Sequence, residues 1–512
     1  MHSRPKYLRN LAINWGGHIA SLVVMFFLSP YIVGKLDAVS YGIWSLLTVL
    51  IGYMGIFDIG VRSSVGRHIA LYLGKKDHTG VDETIRAGFA VFTLTGGLVL
   101  LVGVILGWSF PVFFQNVPIE YYSMVRLLLP FMAVNLWFAA VAAIYSNVLS
   151  AHDRFDVARA VDLVVLLIRT AATVYALYAG WGLWGLAGAL ALANFFSVIL
   201  NRICAGKIYP RLRSFPLLFS RARMGELFGY GFYAFISHVA YQVIGQSDLI
   251  IVGAFISVAA VREYSVGATL IFYSAPFISM IAMTFFPSVQ KAVSAQEFNN
   301  VKGLLSSQIR ISLSFGLLAY IGLAFYAHPF IRLWMLQDGF DLPSVTLAAN
   351  VMAVLALSKI PVLYLVPCVN VLSAMGHVRF TAKRSVVEAL MNVALSMLFV
   401  LVFKWGLVGV AAGTLGARLL ISAVVVPYYM CQKLNISGLK FFTSSLAPGF
   451  LALLLFSLYC GLIQRLWSVE DWLSFGEHII AAIFMWCLIA FAFLLPPDVR
   501  NKIVGKAKKM VS

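Results

Sequence analysis

Three cations stand where a cation is costly. Arg169, Lys359 and Arg418 each lie midway along a long, largely apolar run, at 157–179, 346–372 and 407–430. A charge near the bilayer centre costs about 2.5–3.5 kcal/mol even on the mild insertion scale, so a deep one normally faces a partner or a water-filled cavity. Arg offers a planar fork of donors and Lys a compact point charge, and together they suit an anion with several oxygens. Four acids also fall in the apolar runs or beside them: Asp58, Asp162, Asp248 and Glu388. Their chemistry would be the exchange of a proton or a sodium ion during transport, or simply the balancing of the cations.

The spacing of these groups suggests local partners. Asp58 stands four residues before Arg62, for which an ion pair is the plainer reading. Arg384, Glu388 and Asn392 follow at steps of four, and Arg159, Asp162 and Arg169 share a helix face, so both sets read equally as structural salt bridges. Arg126 and Arg310 sit nearer the ends of their runs, where a long side chain can snorkel to the interface. Pro361 and Pro367 follow Lys359 in the same run; each removes a helix hydrogen bond, which predicts a kink or unwound turn beside the cation. His18, His238, Gln242 and Gln246 complete the polar set as hydrogen-bonding groups.

No metal or cofactor is expected. Cys204, Cys368, Cys431, Cys460 and Cys487 are isolated and read as small hydrophobes, Asp338 and Asp341 form no metal pair, and no GxxxxGK[ST] phosphate loop occurs.

The elements that must hold these residues follow from composition. Hydrophobic residues make up 61% of the 512 and charged ones 11%, far from the globular mix. Fourteen apolar runs approach the roughly 20 residues that a bilayer core requires. They are 11–34, 39–61, 87–110, 124–148, 157–179, 183–204, 228–254, 264–286, 303–327, 346–372, 380–403, 407–430, 441–463 and 476–497. None shows the alternation of a barrel strand, so the fold class is an all-α polytopic membrane protein of about fourteen spans. The first run is longer than a signal-peptide core and is read as a retained span. With a cytoplasmic N-terminus, the inside segments hold 28 of the 38 Lys and Arg, which places both termini inside. The net charge of +18 is spread over short loops, which fits topology and anionic lipid headgroups and argues against nucleic acid. The basic stretch 207–227 reads either as a helix on the inner leaflet or as a plain connecting loop.

The chain repeats at a separation of about 224 residues. Leu149-Ser150-Ala151 recurs as Leu372-Ser373-Ala374, Arg154-Phe155 as Arg379-Phe380, and Trp181-Gly182-Leu183 as Trp405-Gly406-Leu407. This predicts two six-helix lobes related by a pseudo-two-fold axis along the membrane normal. The expected organisation is an N-lobe at 1–206, a basic linker at 207–227, a C-lobe at 228–433, and a C-terminal hairpin with a basic tail at 434–512.

Tyr41-Gly42-Ile43-Trp44-Ser45-Leu46-Leu47, Asp58-Ile59-Gly60 and Arg67-His68-Ile69-Ala70 resemble the start of the polysaccharide flippases of the multidrug/oligosaccharidyl-lipid/polysaccharide exporter superfamily. The stretch Asp248-Leu249-Ile250-Ile251-Val252-Gly253 with Tyr264-Ser265-Val266-Gly267 resembles the same family, and the likeness covers about residues 8–430. It implies a non-enzymatic bacterial inner-membrane flippase. The cargo would be a polyprenyl-diphosphate-linked oligosaccharide, moved by alternating access, with polysaccharide polymerase and glycosyltransferases as pathway partners. The diphosphate would need a cationic cavity. The repeat then pairs Arg169 and Asn194 in one lobe with Asn392 and Arg418 in the other, beside Lys359. Two other classes stay open: a cation-coupled multidrug or small-solute antiporter of the same fold, and a membrane glycan polymerase or glycosyltransferase.

Overall fold

The computed structural model describes residues 4–212, 215–218, 220, 232–495 and 500. Among them the backbone is helical almost throughout, and the one β feature is an isolated bridge between Gln337 and Phe340. Twelve of the described helices are long and apolar enough to cross a membrane, which makes this a multi-pass α-helical membrane protein. The other two runs, 11–34 and 39–61, fall on α1 (Arg4–Lys35), α2 (Ala38–Met54) and the start of α3 (Ile56–Gly74). Their described apolar stretches are shorter, Ile19–Lys35 and Ala38–Met54. Side chains are distributed as lipid requires. Phe27, Leu167, Leu390 and Ile480 are 62–71% exposed, whereas Ser358, Asn392, Gln308 and His478 are fully buried, the inverse of a water-soluble protein.

The chain divides into two compact units, Met1–Val239 with Ser257–Arg262, and Ala240–Ile256 with Glu263–Ser512. In the first, α4 (His78–Phe113), α5 (Tyr122–Ala151), α6 (Phe155–Tyr178) and α7 (Gly182–Ile208) pack with α1–α3. Val65, Ile69, Ile85, Phe92, Ile144 and Val148 form much of its core. The helix reading of 207–227 is corrected where it can be seen. α7 ends at Ile208, and residues 209–212, 215–218 and 220 carry no helix. This stretch is held on α4 instead: Arg86 Nε donates to the Pro216 carbonyl at 2.6 Å, Phe215 packs on Phe89, and Leu212 and Leu217 rest on the core. Residues 213, 214, 219 and 221–227 lie outside the described residues.

The second unit contains most of α8 (Phe232–Phe255) and α9 (Ala260–Ser294), then α10 (Phe298–Phe325), α11 (Ala327–Met335), α12 (Leu342–Lys359) and α13 (Val362–Ala374). The connection between α10 and α12 holds the short helix α11. There Asp341 caps α12, its carboxylate accepting from Ser344 N at 3.0 Å. The run 346–372 breaks at Ile360–Pro361 between α12 and α13, where Pro361 cannot donate a helix hydrogen bond.

Next come α14 (Val378–Leu401) and α15 (Gly406–Ala417), which passes through the π-helical turn Arg418–Val425 into α16 (Val426–Lys433). The last pair, α17 (Ala447–Leu466) and α18 (Trp472–Phe493), packs on α10. Gln464 Nε2 donates to the Phe325 carbonyl at 2.9 Å, and the buried Trp486 Nε1 to the Ser314 carbonyl at 2.7 Å. The two Trp-Gly-Leu turns are similar, the second return spanning one residue more than the first. Gly180 and Lys404 take positive φ, and the amides of Trp181 and Trp405 return to the Ala176 and Phe399 carbonyls at 2.9 and 3.0 Å.

The α14–α15 seam is one of the tightest places in the second unit. A Cβ on Gly413 would lie 2.2 Å from Ser396 Oγ and 2.5 Å from Ser396 N, so only glycine lets the two backbones meet there. Gly413→Ala is expected to cost about 3 kcal/mol and to remove most of the monodisperse protein in detergent gel filtration. Gly322→Ala, with nothing within 4 Å of the added methyl, serves as control and should run as wild type. A monodisperse G413A with an unchanged unfolding midpoint would refute this account of the seam.

Candidate functional site

Where α14 and α15 run antiparallel, polar residues at steps of four on each helix meet rung by rung. Ser396 Oγ donates to the Val410 carbonyl at 3.1 Å, and Asn392 Nδ2 to Thr414 Oγ1 at 2.7 Å. Glu388 faces Arg418, its Oε1 4.0 Å from the guanidinium Nε, and accepts from Ser422 Oγ at 2.6 Å. Arg384 closes the series with an ion pair to Glu388 and a 3.3 Å hydrogen bond to Ser422 Oγ. A spacing of four keeps each stripe on one helix face, and the Gly413–Ser396 approach brings the stripes into reach.

The lower rungs open into a cavity of about 210 Å³ within the second unit. Lys359, Arg384, Glu388 and Arg418 supply its charges, with Tyr320 and Val362 also in the wall. Its position follows from two breaks in the backbone: Lys359 is the last residue of α12, just before the proline break, and Arg418 opens the π-helical turn. Lys359 is 9% exposed, Arg418 6% and Glu388 3%. Arg418 Nη1 donates to the Ser358 carbonyl at 3.2 Å and to Ser358 Oγ at 3.0 Å, which ties α15 to α12. Among the described residues, Arg384 Nε is buried without a partner, and Lys359 makes no hydrogen bond. Three cations thus share a buried space with one lining carboxylate, and two of them hold donors in reserve. Such an arrangement is built to receive an anion.

Beside it lies a second polar cluster around Asp248. Oδ2 accepts from Tyr264 Oη at 2.6 Å and from Thr414 Oγ1 at 2.8 Å, while Ser247 Oγ donates to Asn392 Oδ1 at 3.1 Å. Asp248 is 5% exposed, and its Oδ1 has no partner among the described residues. Thr414 lies one turn from Arg418, so one face running from α15 into the π-helical turn serves both clusters. No group of three metal-ligating side chains occurs among the described residues.

The sequence-derived candidates separate on this geometry. Lys359 and Arg418 share the cavity with Glu388. Asn392 belongs to the Asp248 cluster and is absent from the cavity wall. Arg169 and Asn194 lie in the first unit, both half-buried, and Asn194 Nδ2 donates to the Asn135 carbonyl at 3.3 Å. Along the α6–α7 seam there runs an open groove of about 740 Å³, lined by apolar residues such as Ile168, Trp181, Trp184 and Leu192. Asp162 pairs with Arg159 at 3.0 Å on a surface where both side chains are about half exposed, 53% and 48%. The side chains of Asp58 and His18 lie outside the described residues.

Arg126 stacks its guanidinium 4.4 Å over the Trp108 ring, and Arg310 Nη2 donates to the Ser444 carbonyl at 3.0 Å. Sequence reasoning took Arg384 for a local pair and passed over Thr414, Ser422 and Tyr264. The available signal was the second stripe, Thr414, Arg418 and Ser422, running against Arg384, Glu388 and Asn392.

Comparison with known proteins places the chain in a family. A putative O-antigen transporter of Shigella flexneri is 22% identical over 459 residues, covering 84% of this chain and 99% of its own. A probable flippase, AglR, of Haloferax volcanii is 21% identical over 431 residues, 82% of this chain and 83% of its own. Among solved structures, the lipid II flippase MurJ in an inward closed conformation superposes with a TM-score of 0.69 at 17% identity, over 95% of this chain and 98% of its own, which shows a shared fold. Residues 36–338 match the family described as polysaccharide biosynthesis protein, and the chain belongs to that family.

Proposed function

We propose that this protein flips a polyprenyl-diphosphate-linked oligosaccharide from the cytoplasmic to the outer leaflet of a bacterial inner membrane by alternating access, with both termini in the cytoplasm. The observation that carries the reading is the buried cavity with three cations and one carboxylate. Its volume of about 210 Å³ leaves room for the charged phosphates. The names of the relatives, O-antigen transporter and flippase, support the same cargo class. An anion leaving a cell that is negative inside runs downhill by about 2.3 kcal/mol per charge per 100 mV, so translocation needs neither catalysis nor ATP.

In this reading Lys359, Arg384 and Arg418 bind the diphosphate, while Arg169 and Asn194, the candidates in the lobe at 1–206, lie outside this cavity. The C-lobe is 228–433, the linker 207–227, and 434–512 the added hairpin and tail. Asp248, steadied by Thr414, Tyr264 and Asn392, is the coupling acid, because it is buried and keeps one oxygen unengaged. Polysaccharide polymerase and glycosyltransferases of the same pathway are the expected partners.

Lys359→Ala, Arg384→Ala and Arg418→Ala are each expected to abolish surface glycan while the protein stays in the membrane. Lys359→Met should also raise the unfolding midpoint by a few degrees, since it fills the space and removes a buried charge crowded by Arg418. Normal glycan in all three alanine variants would refute the cavity as the binding site.

Asp248→Asn is expected to leave flipping in proteoliposomes indifferent to imposed pH and sodium gradients, while Asp162→Asn, exposed and already paired, responds as wild type. An unchanged gradient response in D248N would assign Asp248 to structure alone.

A further inference from the structure

We infer that Glu388 is a built-in competitor for the transported phosphate, occupying part of the anion site until the cargo displaces it. The inference rests on the flippase reading above. Glu388 is the one carboxylate in the cavity wall, and it is held as a phosphate oxygen would be: Arg384 on one side, the Ser422 hydroxyl at 2.6 Å, and Arg418 Nε at 4.0 Å on the other. These donors belong to α14 and the π-helical turn, and they converge on one point. The hold is uneven. Arg418 sits at the limit of ion-pair distance and spends Nη1 on Ser358, while Arg384 Nε and Lys359 Nζ remain unengaged among the described residues.

A diphosphate diester brings two negative charges and more acceptor oxygens than one carboxylate can offer. It takes the reserve donors as well as those on Glu388, so exchange is favoured without leaving a cation bare. Three lining cations less one carboxylate leave an excess of two, which the two diester charges neutralise. Without the acid the excess is three, and an anion binds more tightly and leaves more slowly. A transporter must release what it binds. Glu388 therefore trades affinity for turnover, returning to Arg384 and Arg418 as the cargo departs.

The test uses the full-length protein in nanodiscs of zwitterionic lipid with inorganic pyrophosphate as probe, followed by calorimetry, and proteoliposomes for flipping. Glu388→Gln is expected to bind pyrophosphate about tenfold more tightly than wild type, a change of about 1.4 kcal/mol, and to flip its lipid-linked cargo more slowly. Because E388Q leaves two arginines without their acid, Glu388→Asp carries the test if that variant does not fold. Its charge is kept, its shorter side chain retreats from Arg418, and binding should tighten by about threefold. Wild-type binding with no gain in either variant would overturn the competitor role and leave the anion site standing. No pyrophosphate binding by any form would overturn the anion site as well. If added phosphatidylglycerol blocks pyrophosphate equally in wild type and variants, the occupant is a membrane phospholipid, and the proposal falls.

Discussion

The close approach of α14 and α15 is the constraint on which the site depends. Hydrocarbon offers no water to satisfy a stray hydroxyl, amide or charge, so each polar side chain in a span needs a partner from another helix or from its own. Here the partners come from one seam. Gly413 lets the two backbones meet at Ser396, and from there the rungs Ser396–Val410, Asn392–Thr414 and Glu388–Arg418–Ser422 follow at fixed spacing. Shifting one helix by a residue would turn its stripe by about 100° and unpair every rung together. The Asp248 cluster and the cation cavity are therefore parts of one register, and neither can be rearranged alone.

The breaks in the helices lie where this register meets the cavity. An unbroken helix through Lys359 would satisfy its own backbone and point one side chain inward. The break at Ile360–Pro361 and the π-helical turn at Arg418–Val425 instead interrupt the regular backbone at two of the three places where cations enter the wall. Irregular backbone within a membrane is tolerated where protein or a cavity covers it, and both irregularities here lie beside the cavity.

How much of this was legible in the sequence depends on whether a feature is set along one helix or between two. The membrane class, the depth of Lys359 and Arg418, and the break after Lys359 are one-dimensional facts, written in apolar runs and in Pro361. The Arg384–Glu388 pair was legible for the same reason, as a spacing of four. Thr414 and Ser422 were not, because a lone Thr or Ser in an apolar run is ordinary until the facing stripe and its register are known. Asp162 shows the converse. Its helix carries it on an exposed face beside Arg159, and no local pattern says which face α1 and α7 will cover.

The interruption between α12 and α13 also adds a field that belongs to no side chain. The carbonyl end of α12 lies at Lys359, and the amide end of α13 begins at Val362 in the wall of the same cavity. Ile360 and Pro361 keep helical φ and ψ, so the two ends lie head to tail and their partial charges largely offset at a distance; what remains is local, the last α12 carbonyls beside the ammonium and the first α13 amides beside the cavity wall. These are peptide dipoles and do not titrate. Part of the attraction for an anion therefore persists at any pH at which the helices hold, and no single side-chain substitution removes it.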